Sequence, residues 1–341
     1  MRFKGLGPEW FPVVLGTLAL SLATYILYLV FDYYILFIIG KIIFYIVVIF
    51  YLFVLFSWAY RYIKNPKLIK NDFNNITSLS FTAFLGVLYF ALAFFYIAYI
   101  GFNEMVAQIF LYLYIFFYIF VFIINVTLNY NLYTNRYKFN SITYASLVPT
   151  VVLSANIILS STLLIKPESS YYTSGILDLL YFMVMIALGI SFFQFLFIGI
   201  SAFISHINND NYNIRPATMI PVGASSMLII NIAFLPLFNY IKLFHVPEYI
   251  AVDISMLFFG FDLFIFSVAA IIAVTHIKKR QEMTIWAYVF PLGISTFAYY
   301  MLYDLTKIYA FAYAIIIFTL ALFTFYIYSW INTYKILKYK K

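Results

Sequence analysis

The sequence predicts an all-α polytopic membrane protein: ten transmembrane helices formed as five repeated helical hairpins, with odd-numbered helices inside and even-numbered helices outside. Three observations carry this reading. The 341 residues are 66% hydrophobic and only 9% charged, outside the balance of a water-soluble domain. Apolar runs of about eighteen residues or more recur from end to end, long enough to cross hydrocarbon as helices. A motif built on proline or glycine returns at near-constant intervals on alternate runs.

The runs fall at roughly 10–31, 34–62, 78–101, 104–127, 142–165, 174–205, 217–241, 248–275, 284–306 and 308–333. Each must be helical, because lipid cannot satisfy an open backbone. The second and sixth exceed what about 30 Å of hydrocarbon requires, so they tilt or project into water. Phe31–Tyr34, Gly101–Glu104 and Thr306–Ile308 are tight turns, whereas Lys64–Thr77 and Thr134–Ser141 are longer and polar. Consecutive helices therefore pair as hairpins at approximately 10–62, 78–127, 142–205, 217–275 and 284–333, within one transmembrane domain over 1–341. The first run matches its successors in length and reads as a retained helix, not a cleaved signal.

Basic residues orient the stack. Arg2 and Lys4, Arg61, Lys64, Lys67 and Lys70, Arg136 and Lys138, Arg215, Lys278, Lys279 and Arg280, and Lys335, Lys338, Lys340 and Lys341 share one side. Only Lys166, Lys242 and Lys307 fall on the other, and Lys41 lies within the second span, near enough to its outer end to snorkel. Both termini are therefore expected in the cytoplasm. Topology is the main reason for the net charge of +8; the same field would also enrich anions at the cytoplasmic mouth.

With no cysteine, disulfides, thiolate metal sites and cysteine nucleophiles are excluded. His206, His245 and His276 are scattered near span boundaries and make a poor ligand set. No metal, cofactor or nucleic-acid partner is expected. The acids are isolated, which argues against metal-dependent transfer chemistry, and no nucleophile sits beside an intramembrane base. An intramembrane enzyme is a remote alternative.

Odd helices open alike: "WFPVVLGT" (Trp10–Thr17), "SFTAFLGV" (Ser80–Val87), "SLVPTVVLS" (Ser146–Ser154), "TMIPVGASS" (Thr218–Ser226) and "WAYVFPLGIS" (Trp286–Ser295). Pro149, Pro221 and Pro291 are spaced by 72 and 70 residues. Pro12 precedes Pro149 by about twice that interval, and Gly86 marks the intervening copy. A repeat of this length in helix pairs implies a pseudo-symmetric ring. Proline kinks a helix and frees a carbonyl, which a watery lumen tolerates and lipid does not. Pro12, Gly86, Pro149, Pro221 and Pro291 are thus expected to mark kinks on helices lining a central pathway.

Polar residues follow the same helices. Thr17, Thr82, Thr150, Ser154, Ser225 and Ser295 are the candidate lining positions; the competing reading is that each hydroxyl joins neighbouring helices. Phe290 directly precedes Pro291, so the kink can aim its ring into the lumen, where an apolar ring favours dewetting. Its competing role is a core phenylalanine, one of 41. Asp262, mid-span on the eighth helix, is either a proton carrier or a hydrogen-bonded structural carboxyl between the rings.

These motifs resemble the tellurite-resistance/dicarboxylate transporter family, which includes slow-type anion channels and malate permeases. "PEWFPVVLGT" is similar to that family's first-helix signature, "IPVGASS" to its seventh-helix segment and "WAYVFPLGIS" to its ninth. The third helix lacks the family's usual proline, and Leu18 stands where many members have a second glycine. The resemblance implies five inner and five outer helices, a homotrimer, and a ninth-helix aromatic occluding the pore, a role that maps onto Phe290. It also implies a multi-pass plasma-membrane protein that passes small anions such as malate, sulfite, tellurite, nitrate or chloride. A proton-coupled dicarboxylate carrier using Asp262 is the alternative.

Overall fold

The computed structural model describes residues 6–134, 136, 139–165, 172–208, 212–241, 245–275 and 282–339. Among these residues, ten helices are long and apolar enough to cross a membrane. In order they are Pro8–Phe31, Tyr34–Lys64, Ile76–Tyr99, Glu104–Tyr133, Tyr144–Leu164, Ser174–Ile207, Ile214–Phe238, Glu248–Thr275, Met283–Thr306 and Tyr309–Lys338, called here the first to tenth spans. No strand occurs among the described residues. Arg2, Lys4, Lys138, Lys166, Lys242, Lys278, Lys279, Arg280, Lys340, Lys341 and His276 lie outside them.

Burial separates the spans into two classes. In their most apolar stretches, 67 to 100% of odd-span residues are buried, against 17 to 33% in the even spans. The odd spans form a closed ring in chain order: each packs on the next, and the ninth returns to the first. Each even span lies in the groove between its hairpin partner and the following odd span, with the tenth between the ninth and first. Hydrophobicity does not drive this packing where lipid is equally apolar; close van der Waals contact and interhelical hydrogen bonds do. The outward faces of the even spans, such as Ile46, Ile49 and Phe53 on the second, remain exposed and apolar, as a lipid-facing surface requires.

Two turns that close odd spans show the repeat in the backbone itself. The first span ends at Asp32 and the ninth at Lys307, both in the left-handed region at φ 55° and 54°. Each donates its N–H to the carbonyl four residues back, Tyr28 and Tyr303 respectively, a C-terminal cap that reverses the chain within a few residues. Lys307 also donates to Asp304 at 2.6 Å, an exposed pair of small energetic weight.

At the other end of the second span, Arg61 meets Asp72 of the short helix Lys67–Asn74 at 2.5 Å, and Tyr62 donates to the same carboxylate at 2.8 Å. Asp72 is buried, so it holds this amphipathic helix against the bundle. Asp72→Ala leaves the guanidinium and phenol without their acceptor, and breaking such a pair costs about 3 kcal/mol. Thermal unfolding in detergent should show a lower midpoint for Asp72→Ala than for an exposed control such as Asp304→Ala.

Candidate functional site

The four motif prolines share one local placement. Pro12, Pro149, Pro221 and Pro291 occupy the first turn of an α-helix, where the missing N–H is unneeded. Each is preceded by a 3₁₀ segment: Pro8–Trp10, Tyr144–Leu147, Tyr212–Met219 and Met283–Tyr288. The distortion is therefore a 3₁₀-to-α junction immediately ahead of the proline, not a mid-helix kink. This changes the carbonyl argument. Pro8 and Ala145 carbonyls, four residues before Pro12 and Pro149, accept from Phe11 and Val148 through the tighter 3₁₀ pattern. They need no water. The third span, without proline, breaks at Ala83, between helices Ile76–Thr82 and Phe84–Tyr99.

Glycines of the motif let neighbouring helices approach. A Cβ on Gly16 would come within 2.8 Å of the Trp286 ring, and one on Gly223 within 3.0 Å of Pro291. A Cβ on Gly293 would overlap that of Ala19, and one on Gly86 the Val121 side chain of the fourth span. The seventh, ninth and first spans are thus locked together at motif level. Trp286, fully buried, donates its indole N–H to Thr333 of the tenth span at 3.0 Å. Gly293→Val would force the ninth and first spans apart, at a cost of about 2 kcal/mol or more; loss of a monodisperse gel-filtration peak checks it.

The polar stripe is placed differently from the expected lining. Thr17 bonds back to the Val13 carbonyl and lies 3.4 Å from the Tyr326 hydroxyl of the tenth span. Thr150 donates to Gln194 of the sixth span and accepts from Asn125 of the fourth at 3.3 Å. Ser225 and Ser226 bond to Asp262 of the eighth span, and the Ser226 and Ser295 hydroxyl oxygens lie 2.9 Å apart. These hydroxyls join the inner ring to the outer ring or to each other. A hydroxyl has one hydrogen and two lone pairs, and partners on its own helix, a neighbouring inner span or an even span take up that capacity away from the axis. Among the described residues, the Thr82 and Ser154 hydroxyls bond to carbonyls of their own helices, those of Ser78 and Val151.

Asp262 is fully buried. It gathers Ser225 and Ser226 of the seventh span and the Tyr299 hydroxyl of the ninth, the last at 3.4 Å. One carboxyl thus ties three spans at the depth of the motif. Ser295 donates in turn to the Pro291 carbonyl at 3.0 Å, one residue from Phe290.

Phe290 is 3% exposed, and its ring meets that of Phe84 edge to face, 4.9 Å between centroids. Phe84 belongs to the third span and Phe290 to the ninth, which are not neighbours in the ring. Their side chains can meet only inside it, across the inner surface of the first span. Phe84 was not among the residues expected from sequence. Aligning "FLG" of the third motif with "FPLG" of the fifth places the two phenylalanines together.

No cluster of three or more His, Asp or Glu able to hold a metal exists among the described residues. Between their terminal turns the odd spans carry no Asp, Glu, Lys or Arg. Ten spans, five of them enclosing an uncharged centre in which Phe290 meets Phe84, define a polytopic membrane protein. The family model for voltage-dependent anion channels matches residues 5–334, nearly the whole chain, and the protein belongs to that family. Comparison with curated proteins finds no match. As a member of this family it is a multi-pass membrane protein of the anion-transporting class.

Proposed function

We propose that small anions cross along the axis of the five odd spans and that the Phe290–Phe84 contact closes this passage. The contact between non-neighbouring inner spans is the observation that carries the reading. A hydrated anion cannot pass two apolar rings in contact without losing water that nothing there replaces. When the rings part, the remaining wall is uncharged along its length, so an anion is held weakly and moves on. The edge of a phenyl ring is electropositive, which favours an anion over a cation at the opening. Basic residues of the cytoplasmic side, including Arg61, Lys64 and Arg215, would raise the local anion concentration.

Pro12, Pro149, Pro221, Pro291 and Gly86 act in this reading as the sites where helix geometry changes along the passage. Thr82 and Ser154 remain the hydroxyls nearest to a lining role. The five hairpins constitute one transport unit in the plasma membrane, with both termini cytoplasmic; the family resemblance extends this to a homotrimer, which the mass of the detergent-solubilised protein tests. Substrates are chloride, nitrate, sulfite, tellurite or a C4-dicarboxylate such as malate. Efflux from proteoliposomes loaded with each anion, for the wild type and Phe290→Ala, tests the gate and orders the substrates. Equal efflux from the two proteins, both folded, would remove Phe290 from it.

A further inference from the structure

The ninth span carries a second phenylalanine on the same face as Phe290. Phe297 lies seven residues on, about 10.5 Å along the axis and rotated by only about 20°. It is buried, and it repeats the relation seen at Phe290. Its ring meets Phe94 of the third span at 6.1 Å, again between non-neighbouring inner spans, and Phe234 of the seventh span at 6.4 Å. Phe94 in turn meets Tyr25 of the first span at 6.4 Å. Four of the five inner spans thus contribute a ring to one layer, two turns beyond the Phe290–Phe84 layer.

Ile294 sits between the two layers. It is four residues after Phe290 and three before Phe297, so all three share a face. Unlike its immediate neighbours Gly293 and Ser295, Ile294 is partly exposed. Its side chain lies beside Gly223 of the seventh span.

We infer that Phe297, with Phe94 and Phe234, forms a second aromatic closure in series with Phe290–Phe84, and that the space faced by Ile294 is a chamber shut at both ends. The inference rests on the reading of the odd spans as the passage. Two closures in series mean that the more resistant one limits flux: the Phe290–Phe84 contact, the closer of the two at 4.9 Å against 6.1 and 6.4 Å, sets the resting rate, and the Phe297 layer sets the rate that remains once it opens. Phe297 is then a determinant of conduction equal in kind to Phe290.

The chain has no cysteine, so Ile294→Cys introduces a single thiol into an otherwise silent background. A charged, membrane-impermeant methanethiosulfonate is applied to either side of reconstituted vesicles; the thiolate forms a disulfide with the reagent's sulfenyl sulfur and sulfinate leaves. With both layers intact, Ile294→Cys should be unmodified from either side while labelling fully after denaturation. Adding Phe297→Ala should raise the rate by about tenfold or more from the side where the ninth span ends, and Phe290→Ala from the side where it begins. Phe297→Leu, which keeps an apolar side chain if alanine fails to fold, should give a smaller increase on the same side. Modification from the Phe297 side at equal rates with and without the ring overturns the second closure and leaves the Phe290 gate standing. A thiol that stays unreactive even with both alanines, in folded protein, overturns the passage itself.

Discussion

Anion efflux from proteoliposomes is expected to rise about tenfold when Phe290 is replaced by alanine, equivalent to about 1.4 kcal/mol removed from the barrier. The ring lies against Phe84 with 4.9 Å between centroids, so a methyl group in its place removes that contact without touching the hydrogen bonds around it. Phe84→Ala should act in the same direction, and Phe290→Leu should remain close to the wild type because it keeps an apolar plug. Two controls separate gating from misfolding. Ser295 still bonds the Pro291 carbonyl, and the Gly293–Ala19 approach is unchanged, so gel filtration and thermal midpoint should match the wild type within experimental error. Stopped-flow fluorescence with a halide-quenched dye inside the vesicles measures the rate directly.

The second large effect concerns Asp262. Its carboxyl holds Ser225, Ser226 and Tyr299 from two inner spans, and removing it leaves buried hydroxyls without their shared partner at about 1–3 kcal/mol apiece. Asp262→Ala should therefore reduce the yield of folded protein and lower its thermal midpoint markedly. Asp262→Asn keeps an acceptor oxygen and the side-chain volume, and should fold with efflux similar to the wild type in the absence of a pH gradient. The same variant separates the two transport readings. A structural tie predicts that Asp262→Asn leaves any response to an imposed pH gradient unchanged. Loss of pH-driven uptake in a folded Asp262→Asn protein would instead establish the proton-coupled carrier.

Much of the fold was legible because lipid imposes few solutions. A run such as Tyr34–Lys64 can only be a helix, and the prolines at 149, 221 and 291 announce a hairpin repeat. Ends were less legible where a helix outlasts its apolar stretch. The fourth span continues to Tyr133, beyond the expected 127, because Asn125, Asn129 and Asn131 remain helical at the membrane edge, Asn125 and Asn129 bonding to each other. The polar stripe shows a different limit. Periodicity tells that Thr17, Thr150 and Ser225 recur on the odd helices; it does not tell whether that face looks inward or toward an even helix. Their partners Tyr326, Gln194 and Asp262 are hundreds or tens of residues away in sequence, and only the tertiary arrangement brings them together. Proline likewise signalled a break but not its form, since a 3₁₀ segment and a mid-helix kink leave the same residue in the chain. Phe84 is one of 41 phenylalanines, and the third motif lacks the proline that marks Phe290 in the fifth.

The central claim is that anions pass through the ring of odd spans where Phe290 and Phe84 meet. Its most direct test is the reversal potential of the current through purified Phe290→Ala protein in a planar bilayer under a potassium chloride gradient. The account predicts a current much larger than that of the wild type, reversing close to the chloride equilibrium potential. A current that reverses near the potassium potential, or no increase from protein that is folded and inserted, would contradict it.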